Sequence, residues 1–343
     1  MDRKFFLSTT GALITGLSLP FKKIAGAEPH EDETEFKRPP YLKPGHLIGI
    51  TTPAGYSNPE EIRSAVAIIE SWGFKTVIGD AVGKKDFTRG GTDEERLADL
   101  QKMLDDPQIK AIMCARGGYG SVRIVDGINW TKFKKQPKWV IGFSDITVLH
   151  NHIHQVCKTA SIHSKMTNSF PDDMISAEPV VAQTIDSIHD ALSGKKMFYD
   201  VALHLKNKPG TGEGVLTGGN LKTIESLAGS ASDIQTSGKI LFVEDTGEYL
   251  YSIDRMFWNL KRTGKLAHLK GLIVGGFRIR PDDPGEEFGK DLYEIILEKV
   301  KMYSYPVCFD FPVGHQKANF ALKCGVRHRL NVNSSEANLK EIP

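Results

Sequence analysis

The sequence is poor in the features that would point to metal, redox or nucleic-acid chemistry. Four cysteines occur in 343 residues, none of them in a Cys-x-x-Cys pair, and no His/Cys group has the spacing of a zinc site. The 44 basic and 42 acidic residues nearly cancel, which leaves a formal net charge of +2. No long basic run interleaves with aromatic residues. We therefore expect no metal, no cofactor and no nucleic-acid partner.

No hydrophobic run is long enough to span a bilayer comfortably, but the N-terminus carries an export-like pattern. Arg3-Lys4-Phe5-Phe6-Leu7 resembles a twin-arginine signal, and Ala25-Gly26-Ala27 offers a cleavage site. We predict that residues 1–27 are a cleaved export signal, that no stable membrane span remains, and that the mature protein is periplasmic. An uncleaved amphipathic tail or a lipid-associated anchor is the alternative. The protein would be cytoplasmic if the signal is not used.

Strand and helix signals alternate between residues 43 and 162, which predicts a parallel sheet with helices on both faces. Ligands of such sheets bind at the carboxyl ends of the strands. The predicted division of the chain is a linker (28–42), an N-terminal α/β domain (43–190), an interdomain connection (191–213) and a C-terminal domain (214–340).

Two helix starts are predicted from capping signals. Asn58-Pro59-Glu60-Glu61 offers a cap, a first-turn proline and first-turn acids. Thr92-Asp93-Glu94-Glu95 has the spacing of a capping box. Both helices are expected to cover the predicted parallel sheet.

The stretch Ile141-Gly142-Phe143-Ser144-Asp145 follows an apolar run and precedes an amphipathic helix. A strand that enters Gly-x-Ser and then a helix is typical of a nucleophile elbow, although Ile146 replaces the usual second glycine. The N–H of Asp145 would lie at the helix start, where it could donate to a developing oxyanion. We interpret Asp145 as a cap that points away from Ser144, with its backbone rather than its carboxylate in use.

A serine nucleophile needs a base and a carboxylate that orients the base. His315 lies in a loop between apolar segments, where a side chain can be aimed across a cleft. His163, at the end of a predicted strand, is a weaker candidate. Alternate positions on a helix cannot share one face, so we interpret three histidines near the elbow as surface or packing residues: His150, His152 and His154.

Glu244 ends an otherwise apolar strand and is the candidate for orienting the base, with Glu248 as its rival. Another predicted strand ends in Arg116-Gly117-Gly118-Tyr119-Gly120. This loop lacks the Lys-Ser/Thr of a Walker loop and the full spacing of a dinucleotide fingerprint. Its adjacent glycines would let a backbone N–H approach a substrate oxygen, as a second oxyanion donor beside Asp145.

Over residues 39–332 the chain resembles the LD-carboxypeptidase family of serine peptidases, the S66 group, which also contains the microcin C immunity peptidases. The resemblance rests on a combination of motifs. These are Gly91-Thr92-Asp93-Glu94-Glu95-Arg96, Arg116-Gly117-Gly118-Tyr119-Gly120, Gly142-Phe143-Ser144-Asp145, Leu216-Thr217-Gly218-Gly219-Asn220-Leu221, Val243-Glu244-Asp245, and Gly314-His315 with Asn319.

The resemblance implies a flavodoxin-like N-terminal domain with a parallel sheet and a smaller, β-rich α+β C-terminal domain, with the site in the cleft between them. It implies a homodimer as well. The family's catalytic triad maps onto Ser144, Glu244 and His315. Its oxyanion donors map onto the backbone of Asp145 and of a glycine in the Arg116 loop. The implied oxyanion and substrate-binding residues are thus Gly118, Asp145 and Arg116.

The implied activity is metal-free hydrolysis of the amide between the L-centre of a diamino acid and the terminal D-Ala of a murein tetrapeptide. A related activity on aminoacyl-nucleotide antibiotics is the alternative. The immunity peptidases typically carry Asn-Ser where this chain has Tyr119-Gly120, and this difference favours a murein peptide as the substrate. A non-catalytic exported peptide-binding protein is a third hypothesis. The chain also departs from the family pattern after His163, where Ser164-Lys165 replaces a common Gly-Pro and alters the pocket wall.

Overall fold

A computed structural model of the protein describes residues 36–343. The predicted export signal and the first part of the predicted linker lie outside the described residues. The strands within 36–343 are β1 (Leu47–Thr51), β2 (Lys75–Ile78), β3 (Ile109–Cys114), β4 (Trp139–Gly142), β5 (Ser161–His163), β6 (Phe198–Val201), β7 (Gly210–Asn220), β8 (Ile240–Glu248), β9 (Gly271–Ile279), β10 (Val307–Cys308), β11 (Leu322–Cys324), β12 (Arg327–Val332) and β13 (Ala337–Glu341).

The helices of the same part of the chain are α1 (Arg63–Ser71), α2 (Asp93–Asp105), α3 (Ser121–Ile124), α4 (Thr131–Lys135), α5 (Thr147–His152), α6 (Pro179–Ser193), α7 (Leu221–Ser226), α8 (Leu250–Arg262) and α9 (Leu292–Val300). None of these helices combines the length and the apolarity that crossing a membrane requires.

The first sheet has the strand order β11-β5-β4-β3-β1-β2. Strands β1 to β5 pair in parallel, in the order that a flavodoxin-like fold has. Strand β11 closes one edge by pairing antiparallel with β5, where Leu322 lies opposite His163. The prediction of a flavodoxin-like parallel sheet is confirmed. The carboxyl ends of β3 and β4 lie side by side, so the loops that follow them are neighbours.

The second sheet has the order β10-β9-β8-β7-β12-β13-β6. Strands β7 to β10 pair in parallel, and the other half of the sheet is antiparallel. Helices α7, α8 and α9 supply apolar residues to the core beside the parallel half. Because β7 and β8 are parallel neighbours, Asn220, the last residue of β7, is paired with Glu244. The prediction that Glu244 ends its strand is wrong, because β8 continues to Glu248.

The two sheets exchange segments of chain. Strand β6 lies in the predicted interdomain connection yet forms the edge of the second sheet, and β11 crosses back to the first sheet. Part of the predicted linker also belongs to the folded body, because Phe36 and Leu42 bury their side chains and Leu42 N–H bonds to Leu192 O. Residues 36–343 belong to one compact unit, and the predicted domain boundaries stay a prediction.

One predicted helix start is confirmed, and the other begins later than expected. The Thr92 side chain accepts the Glu95 N–H at 3.2 Å while the Glu95 carboxylate accepts the Thr92 N–H at 2.9 Å. Asn58 Oδ1 does accept the Glu61 N–H, at 2.9 Å. The backbone there forms tight i-to-i+3 turns instead of a helix, and α1 begins only at Arg63.

The four cysteines are buried and unpaired. Burial raises the pKa of the Cys157 thiol to about 11 and that of Cys308 and Cys324 to about 12. Cys114 shifts in the same direction for the same reason. These thiols are therefore inert packing groups.

Arg96 connects α2 to the loop of residues 116–120. Its side chain is fully buried, and one terminal nitrogen donates to Pro53 O at 2.6 Å and to Gly120 O at 2.9 Å. A Cβ at Gly120 would lie 2.7 Å from this nitrogen, so the loop needs glycine at this point. Arg96 thereby holds the loop against the strand ends of the first sheet.

Replacing Arg96 by Met is expected to destabilise the fold by roughly 2–4 kcal/mol, because the substitution leaves Pro53 O without its donor and removes the Arg96 bonds to Gly91 O and Gly120 O. Urea unfolding measures the change. The control is Arg123→Met, because Arg123 shares the Asp93 carboxylate with Arg96 but is half-exposed. We expect the control to unfold close to wild type. Equal losses for both variants would contradict a bracing role for Arg96.

Candidate active site

Ser144 lies on a sharp turn at the carboxyl end of β4. Its backbone φ is 61°, in the left-handed region that non-glycine residues rarely adopt. Gly142 is required just before the turn, because a Cβ there would lie 2.9 Å from the Ile146 side chain. Ile146 is fully buried in the core beneath the turn. This strained strand-turn-helix geometry is that of the predicted elbow, and the absent second glycine is explained by a core isoleucine.

The glycine loop after β3 lies directly against Ser144. A Cβ on Gly117 would come within 3.0 Å of Ser144 Cβ and 3.2 Å of its Oγ. The carbonyl of Gly117 accepts the Gly55 N–H at 2.8 Å. In a trans peptide the N–H points opposite to the carbonyl, so the Gly118 N–H is directed away from Gly55. No acceptor within residues 36–343 takes this N–H, which leaves it available as an oxyanion donor.

The contact between Gly117 and Ser144 leads to a prediction. Gly117→Ala is expected to lower kcat/KM by roughly 100-fold, because the new methyl group must displace the Ser144 side chain. The thermal midpoint should change little, since the backbone of Gly117 is not in the left-handed region. The control is Gly127→Ala, whose new methyl group would meet the end of the Leu97 side chain and not Ser144. Comparable kinetic losses in both variants would contradict the prediction.

Glu244 and His315 form a direct pair. His315 Nδ1 lies 2.5 Å from Glu244 Oε2. The glutamate is completely buried on β8, and the histidine side chain is 16% exposed. Gly314 permits the approach, because its φ is +99° and a Cβ there would lie 2.4 Å from Glu244 Cβ. Asn319 holds this turn through a 2.8 Å hydrogen bond from Gly314 N–H to its Oδ1.

The rival carboxylate is engaged elsewhere. Glu248 Oε2 accepts the Ser252 hydroxyl at 2.5 Å, in the first turn of α8. His315 is therefore paired with the carboxylate that the sequence favoured.

The His315 ring lies beside the elbow. Its centroid is 5.0 Å from that of Phe143, the residue before Ser144. His163 packs on the other side of this cluster, 5.9 Å from the Phe143 ring, and is fully buried. Burial lowers the pKa of His163 well below its ordinary value. A buried, neutral imidazole suits packing, whereas the partly exposed His315 suits proton transfer.

The three histidines of the elbow helix are all packing residues and none is a surface residue: His150, His152 and His154. Alternate positions do face different directions, but α5 is covered on several sides, because it packs against α3, α7, β5 and β7. Burial lowers the pKa of His150 to about 4.

The interpretation of Asp145 was wrong with respect to its carboxylate. Asp145 Oδ2 accepts the Ser121 N–H at 2.8 Å and so ties the elbow to the start of α3, next to the glycine loop. Burial raises the pKa of this carboxyl group. Sequence spacing could not show this, because the partner lies 24 residues away. Its backbone role as an oxyanion donor stays a prediction.

The Arg116 side chain is about half exposed, and its Nη1 lies 3.8 Å from the Glu61 carboxylate. Its substrate-binding role stays a prediction. No group of three or more His, Cys, Asp or Glu side chains within 36–343 is arranged to hold a metal ion.

The structure adds residues that the sequence did not single out for the site. Phe143 packs on His315, and Gly117 packs against Ser144. Lys165 Nζ lies 5.6 Å from the Phe143 ring centroid and donates to Gln316 O at 2.7 Å. Phe143 could have been found from its place inside the elbow motif. Lys165 was visible only as a departure from the family pattern.

Comparison with known proteins identifies the family. The LD-carboxypeptidase N-terminal domain matches residues 48–164, and the LD-carboxypeptidase C-terminal domain matches residues 213–330. A Bacillus subtilis protein named "Probable murein peptide carboxypeptidase" is 32% identical over 302 residues, which is 88% of this chain and 93% of that protein.

Solved structures show the same fold. The muramoyltetrapeptide carboxypeptidase from Oxalobacter formigenes superposes with a TM-score of 0.77 at 26% identity, over 87% of this chain and 99% of that one. The microcin C7 self-immunity protein MccF, solved with glutamyl sulfamoyl guanosine, reaches the same TM-score of 0.77 at 23% identity, over 90% of this chain and 99% of that one. The second likeness concerns the fold alone. With both family domains present in their usual order, this chain belongs to the LD-carboxypeptidase family of serine peptidases.

Proposed function

We propose that this protein removes the terminal D-Ala from murein tetrapeptides by hydrolysing the amide on the L-centre of the diamino acid. Ser144 is the nucleophile, His315 the base and Glu244 the group that orients the base. The observation that carries the proposal is the 2.5 Å pairing of His315 with a buried Glu244, beside a strained serine elbow. The murein and muramoyl-peptide names of the relatives support the substrate class.

The pairing determines which nitrogen acts. Because Nδ1 of His315 faces the Glu244 carboxylate, Nδ1 carries the proton and Nε2 keeps its lone pair. Nε2 takes the Ser144 hydroxyl proton as Oγ attacks the scissile carbonyl. The Gly118 N–H and the Asp145 N–H are directed at the oxyanion that forms. The imidazolium then gives its proton to the leaving amino group of D-Ala, and water releases the acyl group by the same steps in reverse.

The test is D-Ala release from a purified murein tetrapeptide, followed by mass spectrometry. An aminoacyl sulfamoyl nucleotide serves as the competing substrate, since the protein shares its fold with MccF. Faster turnover of the murein peptide is expected. Turnover of the nucleotide substrate alone would replace the proposed substrate, and turnover of neither would overturn the proposal.

We also propose that the protein acts outside the inner membrane. The support is the twin-arginine-like N-terminal sequence. The burial of the four thiols is compatible with an oxidising compartment, because buried thiols form little thiolate. N-terminal sequencing of the mature protein from a periplasmic extract should begin at Glu28. The homodimer implied by the resemblance stays a prediction, which sedimentation equilibrium can test.

A further inference from the structure

The chain places an ammonium group without a counter-ion beside the elbow. Lys165 is partly buried, and its Nζ contacts a backbone oxygen and the face of the Phe143 ring. It forms no ion pair with a carboxylate of residues 36–343. Of the buried lysines, Lys323 pairs with Glu341 at 3.0 Å and Lys299 pairs with Asp254, whereas within residues 36–343 Lys138 bonds only to the backbone oxygens of Met103 and Asp106. What separates Lys165 from Lys138 is its place beside the elbow, where an anionic group of a ligand would stabilise the partly buried ammonium.

The two contacts of Lys165 are with the chain neighbours of the proposed base and of the proposed nucleophile. Gln316, whose carbonyl accepts the ammonium proton, directly follows His315. Phe143, whose ring faces the ammonium, directly precedes Ser144. Glu244 is the carboxylate that acts on Lys165 electrostatically, but its Oε2 is engaged with His315.

The charge of a second cation, Arg278, acts on the Lys165 ammonium. Arg278 lies on β9, is exposed, and has no ion pair with a carboxylate in the described part of the chain. The pKa of Lys165 is lowered first by burial and then by the Arg278 charge. An anion bound at Lys165 would offset both effects.

The proposed substrate carries an anion, its C-terminal carboxylate, next to the amide that is cleaved. In a peptide with a C-terminal D-Ala, the terminal carboxylate sits on the carbon attached to the scissile nitrogen. It leaves with the D-Ala product when the amide is cleaved. An enzyme that removes only the last residue must distinguish this carboxylate from a continuing chain.

We propose that Lys165 binds the terminal carboxylate of the substrate and so restricts cleavage to the last residue. The proposal rests on the proposed function, because it assigns the carboxylate to the leaving D-Ala. Lys165 is a specificity-determining residue, at a position where this chain departs from the Gly-Pro of the family pattern.

The experiment compares a murein tetrapeptide with a free C-terminal carboxylate and the same peptide as its C-terminal amide. Wild type should prefer the acid. Lys165→Met should lower kcat/KM for the acid roughly 10- to 100-fold, the size of a charged hydrogen bond, and leave the amide within about threefold. Lys165→Arg should restore part of the preference. Lys317→Met is the control, because Lys317 is exposed, pairs with Glu178 and lies on the same loop as His315.

Equal losses on both peptides, or an unchanged preference in Lys165→Met, would overturn the proposal. Calorimetric binding of both peptides to Ser144→Ala, with and without Lys165→Met, separates this inference from the proposed reaction. If wild type hydrolyses neither peptide, the reaction assignment fails. Binding that favours the acid and depends on Lys165 would then still support carboxylate recognition, and binding without that dependence would end it.

Discussion

Ser144→Ala is expected to lower D-Ala release by about 10⁴-fold or more, with the loss in kcat. The substitution removes the attacking oxygen and leaves the surrounding donors and the substrate contacts in place. Peptide binding should therefore stay within a few-fold of wild type. Single-turnover kinetics together with calorimetric binding to the variant would measure the two quantities separately.

The backbone strain at Ser144 leads to a second expectation, which concerns the stability of the variants and not their activity. With φ at 61°, serine and alanine are equally disfavoured at this position, whereas glycine is not. Ser144→Gly should therefore be as inactive as Ser144→Ala but more stable, by up to about 1 kcal/mol. Ser169→Ala, at a partly exposed serine whose hydroxyl donates to Asn168 Oδ1, is the control and should retain full activity. Release within tenfold of wild type by Ser144→Ala would remove the basis of the mechanism.

The parts of the site that the sequence predicted are those with short-range signals. The elbow is a strand, a turn and a helix within a dozen residues, and its apolar pattern shows where each begins. The Thr92 capping box is a contact over three residues. Such features are decided by neighbours in the chain, so a single sequence reveals them.

The parts that could not be predicted depend on contacts between distant segments. The sequence alone left Glu244 and Glu248 as alternatives, because both follow the apolar run of one predicted strand, and only the bridge to a loop 71 positions away separates them. Strand β11 joins the first sheet from a segment that the pattern assigns to the second half of the chain. The Asp145 carboxylate and Lys165 were missed for the same reason, since their partners, Ser121 and Gln316, lie far along the chain.

Glu244→Gln is expected to lower kcat by roughly 10³- to 10⁴-fold, although glutamine has almost the same shape. The carboxylate accepts the proton on His315 Nδ1 at 2.5 Å and leaves Nε2 free to act as the base. A glutamine amide can present its N–H to Nδ1, which favours the tautomer with the proton on Nε2. That tautomer has no lone pair facing the Ser144 hydroxyl, so the first proton transfer is blocked.

The control for this prediction lies on the same strand. Glu248→Gln changes the carboxylate that accepts the Ser252 hydroxyl, and its turnover should stay within about threefold of wild type because it does not contact the imidazole. Nitrogen-15 spectra of labelled histidine should show the His315 proton on Nδ1 in wild type and in Glu248→Gln, and on Nε2 in Glu244→Gln. If Glu248→Gln were the inactive variant, the orienting role would pass to Glu248. If neither variant lost activity, His315 would act without a carboxylate, and the buried pair of Glu244 with His315 would have to be explained by stability alone.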